Sequence, residues 1–339
     1  MTALIVQRAG PATTVQDLGR PGMIAKGLSR GGAVDVLALH EGAALLGQGP
    51  DLAALEMAGA GGTFRADGDL RIAMTGARMD AALDGRALTW NASHAMPHGA
   101  ELRIGAARAG RYGYLHVGGG IATEPVLGAR AVHLAAGIGR VLEDGDSLQV
   151  GPDPGGAIGL TLEIADRLTG GALRLFETAQ TGLFPDVALR RFAETIFRTD
   201  VRANRQGARL VGEGGDLDTG GLLSLPSEIV LPGDIQITGD GTPFVLLAEC
   251  QATGGYPRIA RVLEPDLPRV AQAGPDAPLR LRWIDRDETL TALTSWCRHL
   301  AALPRAPRPL IRDPAAMADL LSYSLVGGVV SATDPEGAP

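Results

Sequence analysis

Three short turns, each set between two apolar runs, constrain the fold of this 339-residue chain more than any other feature. The turns are Asp84-Gly85, Ala109-Gly110 and Asp240-Gly241. Asp-Gly between two strand-like runs is a strong signal for a β-hairpin, because both turn residues need positive φ. The flanking runs are Met79–Leu83 with Arg86–Trp90, Glu101–Ala107 with Arg111–Val117, and Ile229–Thr238 with Thr242–Ala248. This spacing predicts a mainly β protein built from barrels, with a few short helices.

Three segments carry helix signals. Ala33–Leu46 is apolar at helical spacing and has Asp35 in its first turn. Pro185–Phe197 begins with Pro-Asp, a common helix start, and Asp287–Leu303 is the third segment. These segments are short compared with the strand-like remainder.

A Gly- and Pro-rich stretch at residues 151–156 separates two halves of the chain. We predict an N-terminal barrel at 1–152 and a C-terminal barrel at 171–297. A Pro/Arg-rich spacer and tail follow at 298–339.

Composition disfavours several classes of function. The net charge is −7 and both signs are mixed along the chain, whereas nucleic-acid binding needs a basic face. No apolar run reaches about 18 residues, and the first residues resemble a strand rather than a secretory leader. With only Cys250 and Cys297, we expect no disulfide scaffold and a cytoplasmic location.

The basic residues are thirty Arg and one Lys, Lys26. Arg stays protonated at neutral pH, so lysine chemistry has a single candidate. Lys26 stands in Ala-Lys-Gly rather than in the Ala-Met-Lys-Met of biotin attachment, and the chain has no G-x-x-x-x-G-K-[ST] phosphate loop. We therefore expect no covalently bound cofactor and no phosphate loop for ATP.

The segment Gln251–Arg258 (QATGGYPR) combines two glycines with one of only four tyrosines, a proline and an arginine. Gly permits positive φ, Pro fixes the exit direction, and backbone N–H groups with Tyr and Arg can hold a small anion or carbonyl group. A tight strand connection with a packed Tyr explains the same residues.

The segment Gln16–Arg20 (QDLGR) places an amide, a carboxylate and a guanidinium within five residues. Asp17 can orient Arg20, and Arg20 can hold a carboxylate through two parallel hydrogen bonds. A structural Asp–Arg pair in a turn fits equally well. Arg202–Gly207 in the second half is a weak echo of Asp17–Gly22, which fits a duplicated barrel.

Gly27–Gly31 (GLSRG) matches the G-x-S-x-G of a nucleophile elbow. That elbow belongs to parallel-sheet hydrolases with several preceding strands, so the hairpin pattern disfavours a catalytic Ser29. His94 and His98 are separated by Pro97 and have no cluster of Cys or carboxylates nearby, which disfavours a metal site.

Several ordered segments together resemble one family, the carboxyltransferase-type protein known as the 5-oxoprolinase C subunit, KipA or allophanate hydrolase subunit 2. The resemblance spans residues 3–295. Its carriers are Thr13–Gly22, Gly32–Asp35, Ala54–Glu56, Thr75–Ala77, Val117–Ile121, Leu231–Gln236 and Thr253–Ala260.

The resemblance implies two cyclophilin-like β-barrel domains and a paired KipI-like protein, the 5-oxoprolinase B subunit. With a LamB/YcsF-like third protein, that pair opens 5-oxoproline to glutamate using ATP, which would act on another chain. The same barrels are similar to the carboxyltransferase region of urea carboxylase, where biotin on a separate carrier passes a carboxyl group to urea.

Under this resemblance we expect Asp17, Arg20 and Tyr256 to act in catalysis. Arg20, Arg205 and Arg258 would bind carboxylate or carboxyphosphate-like groups. We expect no metal ligand. The substrate-binding residues expected are Gln16, Asp35, Gly119, Gly120, Arg205, Gln251, Thr253, Gly254, Gly255, Pro257 and Arg258.

The chain departs from the usual family pattern near these segments. Gly128–Val132 lacks the hydroxyls of a Gly-Ser-x-Ser-Thr segment, and Ala248–Ala252 reads Ala-Glu-Cys-Gln-Ala where Ala-Asp-x-Gln-Thr is usual. Such changes alter which polar groups a substrate can satisfy. Three functions remain open: a component of 5-oxoprolinase, the carboxyltransferase component of a biotin-dependent carboxylase, and a non-catalytic module that binds the KipI-like protein.

Overall fold

The computed structural model describes residues 2–213, 217 and 225–311. Two β-rich halves, built from residues 3–149 and 171–283, follow one another along the chain. Within these ranges no helix is long and apolar enough to cross a bilayer. Of the predicted spacer and tail at 298–339, residues 312–339 lie outside the described residues.

Nine antiparallel strands form one curled sheet, a half-barrel, in the N-terminal half. They are β1 (Ala3–Arg8), β2 (Thr13–Gln16), β3 (Ala54–Ala58), β4 (Thr63–Asp67), β5 (Leu70–Leu83), β6 (Arg86–Leu88), β7 (Ser93–Met96), β8 (Glu101–Val117) and β9 (Ser147–Gln149). Neighbours run β2-β3-β8-β4-β1-β9, and β5 pairs with β6, β7 and β8. The sheet buries an apolar core that includes Leu55, Phe64 and Ile72.

The remaining strands belong mostly to the C-terminal half, and seven of them form a closed barrel. They are β10 (Leu160–Thr161), β11 (Gly171–Phe176), β12 (Ile196–Thr199), β13 (Gly207–Gly212), β14 (Glu228–Ile229), β15 (Asp234–Ile237), β16 (Pro243–Leu246), β17 (Thr253–Gly254), β18 (Arg258–Val262), β19 (Leu279–Trp283) and β20 (Arg308–Pro309). The barrel order is β11-β18-β15-β16-β13-β12-β19, closed by a parallel β11–β19 pair. The predicted fold class, mainly β with barrels and few helices, is confirmed.

Two of the three predicted hairpins are confirmed. Leu83 pairs with Arg86 across Asp84-Gly85, where φ is 47° and 79°. β15 pairs with β16 across Asp240-Gly241, with φ 77° at the glycine. Positive φ at these positions gives the turn the twist that the flanking strands need.

The prediction of a turn at Ala109-Gly110 is wrong, because β8 runs unbroken through it. Gly110 has φ 84°, and the register of β8 against β5 shifts between Gly76 and Ala81. Glycine with positive φ produces a β-bulge in a strand as readily as a turn. Here the bulge forms because β8 pairs with the long strand β5 on both sides of Gly110.

Four α-helices occur in the described ranges, and three of them confirm the predicted helical segments. They are α1 (Val36–Leu46), α2 (Asp186–Glu194), α3 (Leu267–Gln272) and α4 (Arg286–Ala302). Asp35 caps α1, since its Oδ1 accepts a hydrogen bond from Ala38 N at 3.2 Å. The sequence did not predict the short α3.

The two halves share one apolar core. Leu39 of α1 and Tyr114 of β8 belong to the same buried cluster as Leu175, Phe192 and Val262 of the second half. The halves therefore pack as one unit, and any groove between them is bounded by buried side chains.

Buried charged groups cross the same boundary. Arg205 is paired with Glu56 of β3, and its Nε donates to Glu249 Oε1 at 2.7 Å. Gln272 of α3 donates to Asp35 Oδ2 at 2.8 Å. This network fixes one orientation of the two halves, because a buried charge that loses its partner is costly.

Candidate functional site

A cleft of about 640 Å³ lies between the two halves. One wall is the loop from Leu18 to Val36, and the other comes from the closed barrel and α4. The lining is mostly apolar, with the side chains of Arg20, Arg30 and Arg261 and one carboxylate, Glu264. A cleft of this size holds a small metabolite, and the excess of positive charge favours an anion.

Asp17 shapes the loop that forms the first wall. Its Oδ1 accepts from Gly19 N at 2.8 Å, and its Oδ2 accepts from Arg130 N at 2.6 Å. Gly19 has φ 77°, and a side chain there would lie 2.6 Å from Arg30 O. Both carboxylate oxygens of Asp17 thus hold backbone N–H groups. Its predicted part in catalysis stays a prediction.

Arg20 is almost fully buried, with 1% of its surface exposed, yet one of its nitrogens is unsatisfied. Its Nε donates to Val126 O at 2.9 Å and its Nη2 to Ala131 O at 2.5 Å. Among the described residues, Nη1 has no hydrogen-bond partner. Burial lowers the pKa of this guanidinium, and the carboxylates of Asp17 and Glu249 oppose that shift only in part. A buried donor without a partner is costly, so a ligand that supplies an acceptor there gains binding energy.

Ser29 and His133 form a second polar contact at the cleft. Ser29 lines the cleft, and its Oγ lies 2.9 Å from Nε2 of His133. Both side chains are buried. The carboxylate of Glu249 lies beyond the ring, with Oε2 4.0 Å from His133 Nδ1.

The hydrogen bonds around His133 define its tautomer. Nδ1 accepts a hydrogen bond from Ala136 N at 3.2 Å. Burial lowers the pKa of His133, opposed by Glu249, so the ring is neutral at neutral pH. A neutral imidazole carries one proton, which must therefore be on Nε2, and Nε2 donates to Ser29 Oγ. His133 holds Ser29 as an acceptor and leaves the hydroxyl hydrogen free to donate.

Arg205 and Asp35 lie in the network between the halves. The three guanidinium nitrogens of Arg205 pair with Glu249, Glu56 and the carbonyl of Gly32. Asp35 Oδ2 accepts from Arg167 and from Gln272. Their predicted role as substrate ligands stays untested, while their contacts here are structural.

The Gln251–Arg258 segment forms a turn at a different place, outside the cleft lining. Gln251 Nε2 donates to Gln236 Oε1 at 3.0 Å, and Arg258 N donates to Gln180 Oε1 at 2.8 Å. Within this turn lie Thr253, Gly254, Gly255 and Pro257, with Tyr256 47% exposed. The structure thus brings most of these predicted residues together, but away from Arg20.

Asp234 links the turn to the cleft. Its Oδ1 accepts from Arg261 Nε at 2.7 Å, and its Oδ2 lies 3.6 Å from Arg258 Nη1. Arg261 lines the cleft, where its guanidinium carbon lies 6.0 Å from the centre of the Phe176 ring. A buried carboxylate therefore joins the two predicted regions.

Gln16 and the Gly119-Gly120 pair are outside the cleft lining as well. Gln16 Nε2 donates to Val132 O at 3.2 Å, behind the segment that holds Arg20. Gly119 N donates to Gln48 Oε1 at 3.0 Å. Their predicted role in substrate binding stays a prediction.

Sequence reasoning missed Arg261 and Trp296, which line the cleft, and His133, which contacts the lining residue Ser29. His133 lies 104 residues from Ser29, and no local motif marks it. The only available signal in the sequence was that Glu249 stands where the family pattern usually has Asp. In the described ranges, no group of three or more His, Cys, Asp or Glu side chains could hold a metal ion.

Residues 26–283 match the family described as carboxyltransferase domain, subdomain A and B. The chain belongs to this family. It is 33% identical over 304 residues to the 5-oxoprolinase C subunit of Escherichia coli (strain K12), a match that covers 88% of this chain and 97% of that relative. It is 31% identical to the 5-oxoprolinase C subunit of Haemophilus influenzae, over 76% of this chain and 84% of the relative. The resemblance seen in the sequence is confirmed.

Two solved structures share the fold. The crystal structure of TTHA0988 superposes with a TM-score of 0.76 at 32% identity and covers 83% of this chain. The present chain spans only 55% of that longer protein. Kluyveromyces lactis urea carboxylase has a TM-score of 0.78 at 21% identity, over 92% of this chain and 31% of its own.

Proposed function

We propose that this chain is the C component of an ATP-dependent 5-oxoprolinase, which opens 5-oxoproline to glutamate. Two curated relatives with that name support this proposal over most of their length. The observation in the structure that favours it is Arg20 Nη1, a buried and unsatisfied donor at a small, positively charged cleft. The substrate carboxylate is an acceptor for that donor.

The partners proposed are a KipI-like protein and a LamB/YcsF-like protein, in the cytoplasm. ATP would be used on one of them, because this sequence has no phosphate loop. Both cysteines, Cys250 and Cys297, are free thiols, which fits a reducing compartment.

The proposed role of this chain in the reaction is binding and charge stabilisation. Arg20 would hold the substrate carboxylate, and the neighbouring donors of the cleft would stabilise negative charge that develops as the lactam opens. The apolar walls would exclude water and so strengthen these contacts.

The test is reconstitution. The purified chain is mixed with its KipI-like and LamB/YcsF-like partners, ATP and 5-oxoproline, and glutamate is measured. We expect turnover with the wild-type chain and with R86Q, which changes an exposed arginine beside the Asp84-Gly85 turn. We expect R20A to lose about ten- to a hundredfold in kcat/KM, since a charged hydrogen bond is removed.

A second candidate is the carboxyltransferase component of a biotin-dependent carboxylase, favoured by the description of the matching family. In that case 5-oxoproline gives no glutamate, and carboxybiotin on a separate carrier is discharged by a urea-type acceptor. Tight binding to the KipI-like protein without turnover of either kind supports a regulatory module.

A further inference from the structure

We propose that the Ser29 hydroxyl is a hydrogen-bond donor to ligand, acting beside Arg20 Nη1, and that His133 is its positioning residue. The ligand class is a small carboxylate bound in the cleft. This inference rests on the proposed function for the identity of the substrate, but the site itself is argued from contacts within this chain.

A second histidine–hydroxyl pair shows why the Ser29 pair is unusual. Thr75 Oγ1 lies 2.8 Å from His116 Nε2, and it donates its own hydrogen to Ala38 O at 2.9 Å. That hydroxyl is satisfied on both sides. Within the described part of the chain, Ser29 Oγ has the His133 contact and no acceptor for its hydrogen. The free hydrogen lies at the cleft wall, where a ligand can accept it.

Gly31 lies beside both His133 and Arg20, and its lack of a side chain permits this close packing. A side chain there would lie 3.0 Å from the His133 ring and 3.8 Å from Arg20 Nη1. The histidine that holds Ser29 and the unsatisfied Arg20 nitrogen therefore border the same small space. One hydroxyl and one guanidinium N–H at one corner suit the two oxygens of a carboxylate.

The same contacts exclude the nucleophile that G-x-S-x-G suggests. Nε2 of His133 carries the proton and cannot accept another from Ser29 without first losing it. Glu249 does not draw the His133 proton from Nε2 to Nδ1, because its two carboxylate oxygens accept hydrogen bonds from Arg205 Nε and Ala135 N. Ser29 is thus a binding group, and no covalent intermediate forms on it.

Isothermal titration calorimetry on the full-length chain tests the site. The probes are 5-oxoproline and 2-pyrrolidinone, the same lactam without the carboxylate. We expect S29A to raise the Kd for 5-oxoproline about tenfold or more, as for loss of a hydrogen bond to a charged group. We expect 2-pyrrolidinone to bind weakly and equally to wild type and S29A. The control, S147A, changes an exposed serine of β9 and leaves the Kd unchanged.

The variant H133Q separates positioning from general-base chemistry. The Gln Nε2 donates to Ser29 Oγ as His133 does, but it cannot take a proton. We expect H133Q to stay within about threefold of wild type in Kd and in kcat of the assembled complex, and H133A to resemble S29A. Loss of kcat in H133Q with unchanged thermal unfolding, or labelling of Ser29 by a fluorophosphonate, overturns the proposal.

The outcomes also separate this proposal from the proposed function. Ser29-dependent carboxylate binding without 5-oxoproline turnover in the assembled complex removes the proposed function and leaves the site. Turnover that S29A does not change removes the site and leaves the function. Absence of carboxylate binding by the wild-type chain at millimolar concentration overturns the site. If S29A does not fold, S29C, a weak donor of similar volume, takes its place.

Discussion

Arg20 and Arg205 are two buried arginines at the boundary between the halves, and their surroundings differ. Every guanidinium nitrogen of Arg205 pairs with a carboxylate or a carbonyl. Burial lowers its pKa, but Glu56 and Glu249 outweigh that effect and raise the pKa above its ordinary value. Arg205 is a fully paired charge that joins the halves.

Arg20 has carbonyl partners on one side only. Its Nε and Nη2 contact the segment 126–131, Nη1 has no partner among the described residues, and burial lowers its pKa. The comparison teaches that burial and residue type do not separate Arg205 from Arg20, for which we propose a role in ligand binding. The unsatisfied donor does.

The largest expected effect is on stability when the paired arginine is removed. In R205M, Glu56 and Glu249 lose their partner inside the protein, so we expect the free energy of unfolding to fall by about 3–5 kcal/mol. Urea denaturation measures this change. R202Q, at an exposed arginine paired with Asp200, is the control and should change it by less than about 1 kcal/mol.

A different outcome for R205M would contradict the structural role assigned to Arg205. If the variant kept its stability but lost carboxylate binding, Arg205 would be a ligand-binding residue, as the sequence predicts, rather than a structural one.

The next largest effect concerns the pH dependence of stability, and it comes from the buried His116. Burial lowers the pKa of His116 to about 3. Below pH 6.5 the unfolded chain binds a proton that the folded chain does not, so stability falls as the pH falls toward 3. The loss is about 1.4 kcal/mol per pH unit between those values.

The variant H116Q isolates this term, since Gln does not titrate and can still donate to Thr75 Oγ1. We expect the wild-type free energy of unfolding to fall about 2 kcal/mol more than that of H116Q between pH 6.5 and 4.5. Equal slopes for the two proteins over this range would mean that His116 is accessible to protons in the folded state.

Removal of Arg20 should lower the free energy of unfolding less than removal of Arg205, and it should weaken ligand binding more. In R20A the carbonyls of Val126 and Ala131 lose their donor, which costs about 1–3 kcal/mol. Binding of 5-oxoproline should become undetectable by calorimetry. R20K keeps the charge without the planar fork, and we expect it to recover only part of the affinity.

If R20A lost as much stability as R205M and kept its ligand affinity, the distinction between the two arginines would be reversed. Comparing both variants by urea denaturation and calorimetry on the same preparations decides this point.

Much of the fold could be predicted from sequence because its determinants are local. Asp84-Gly85 and Asp240-Gly241 specify hairpins through backbone conformation, and Asp35 marks the start of α1. Gly110 shows where prediction from local sequence fails. The same positive φ serves a turn or a bulge, and the choice depends on a partner strand that local sequence does not specify.

The site was harder to predict because its determinants are not local. Asp17 and Arg20 share one motif, yet Asp17 holds backbone N–H groups while Arg20 borders the cleft. The partners of Arg20 lie more than a hundred residues away, as does the His133 that holds Ser29. Which donor remains unsatisfied depends on those distant partners, and no spacing rule contains that information.

The smallest expected effect tests the Gln251–Arg258 turn, where the sequence placed the substrate. Tyr256 is half exposed and lies outside the cleft lining. We therefore expect Y256A to change the free energy of unfolding by less than about 0.5 kcal/mol and to leave the Kd for 5-oxoproline unchanged. Loss of turnover in the assembled complex with unchanged binding would assign the turn to a later step or to contact with a partner protein. A weaker Kd would extend the binding site from the cleft, through Asp234, to the turn.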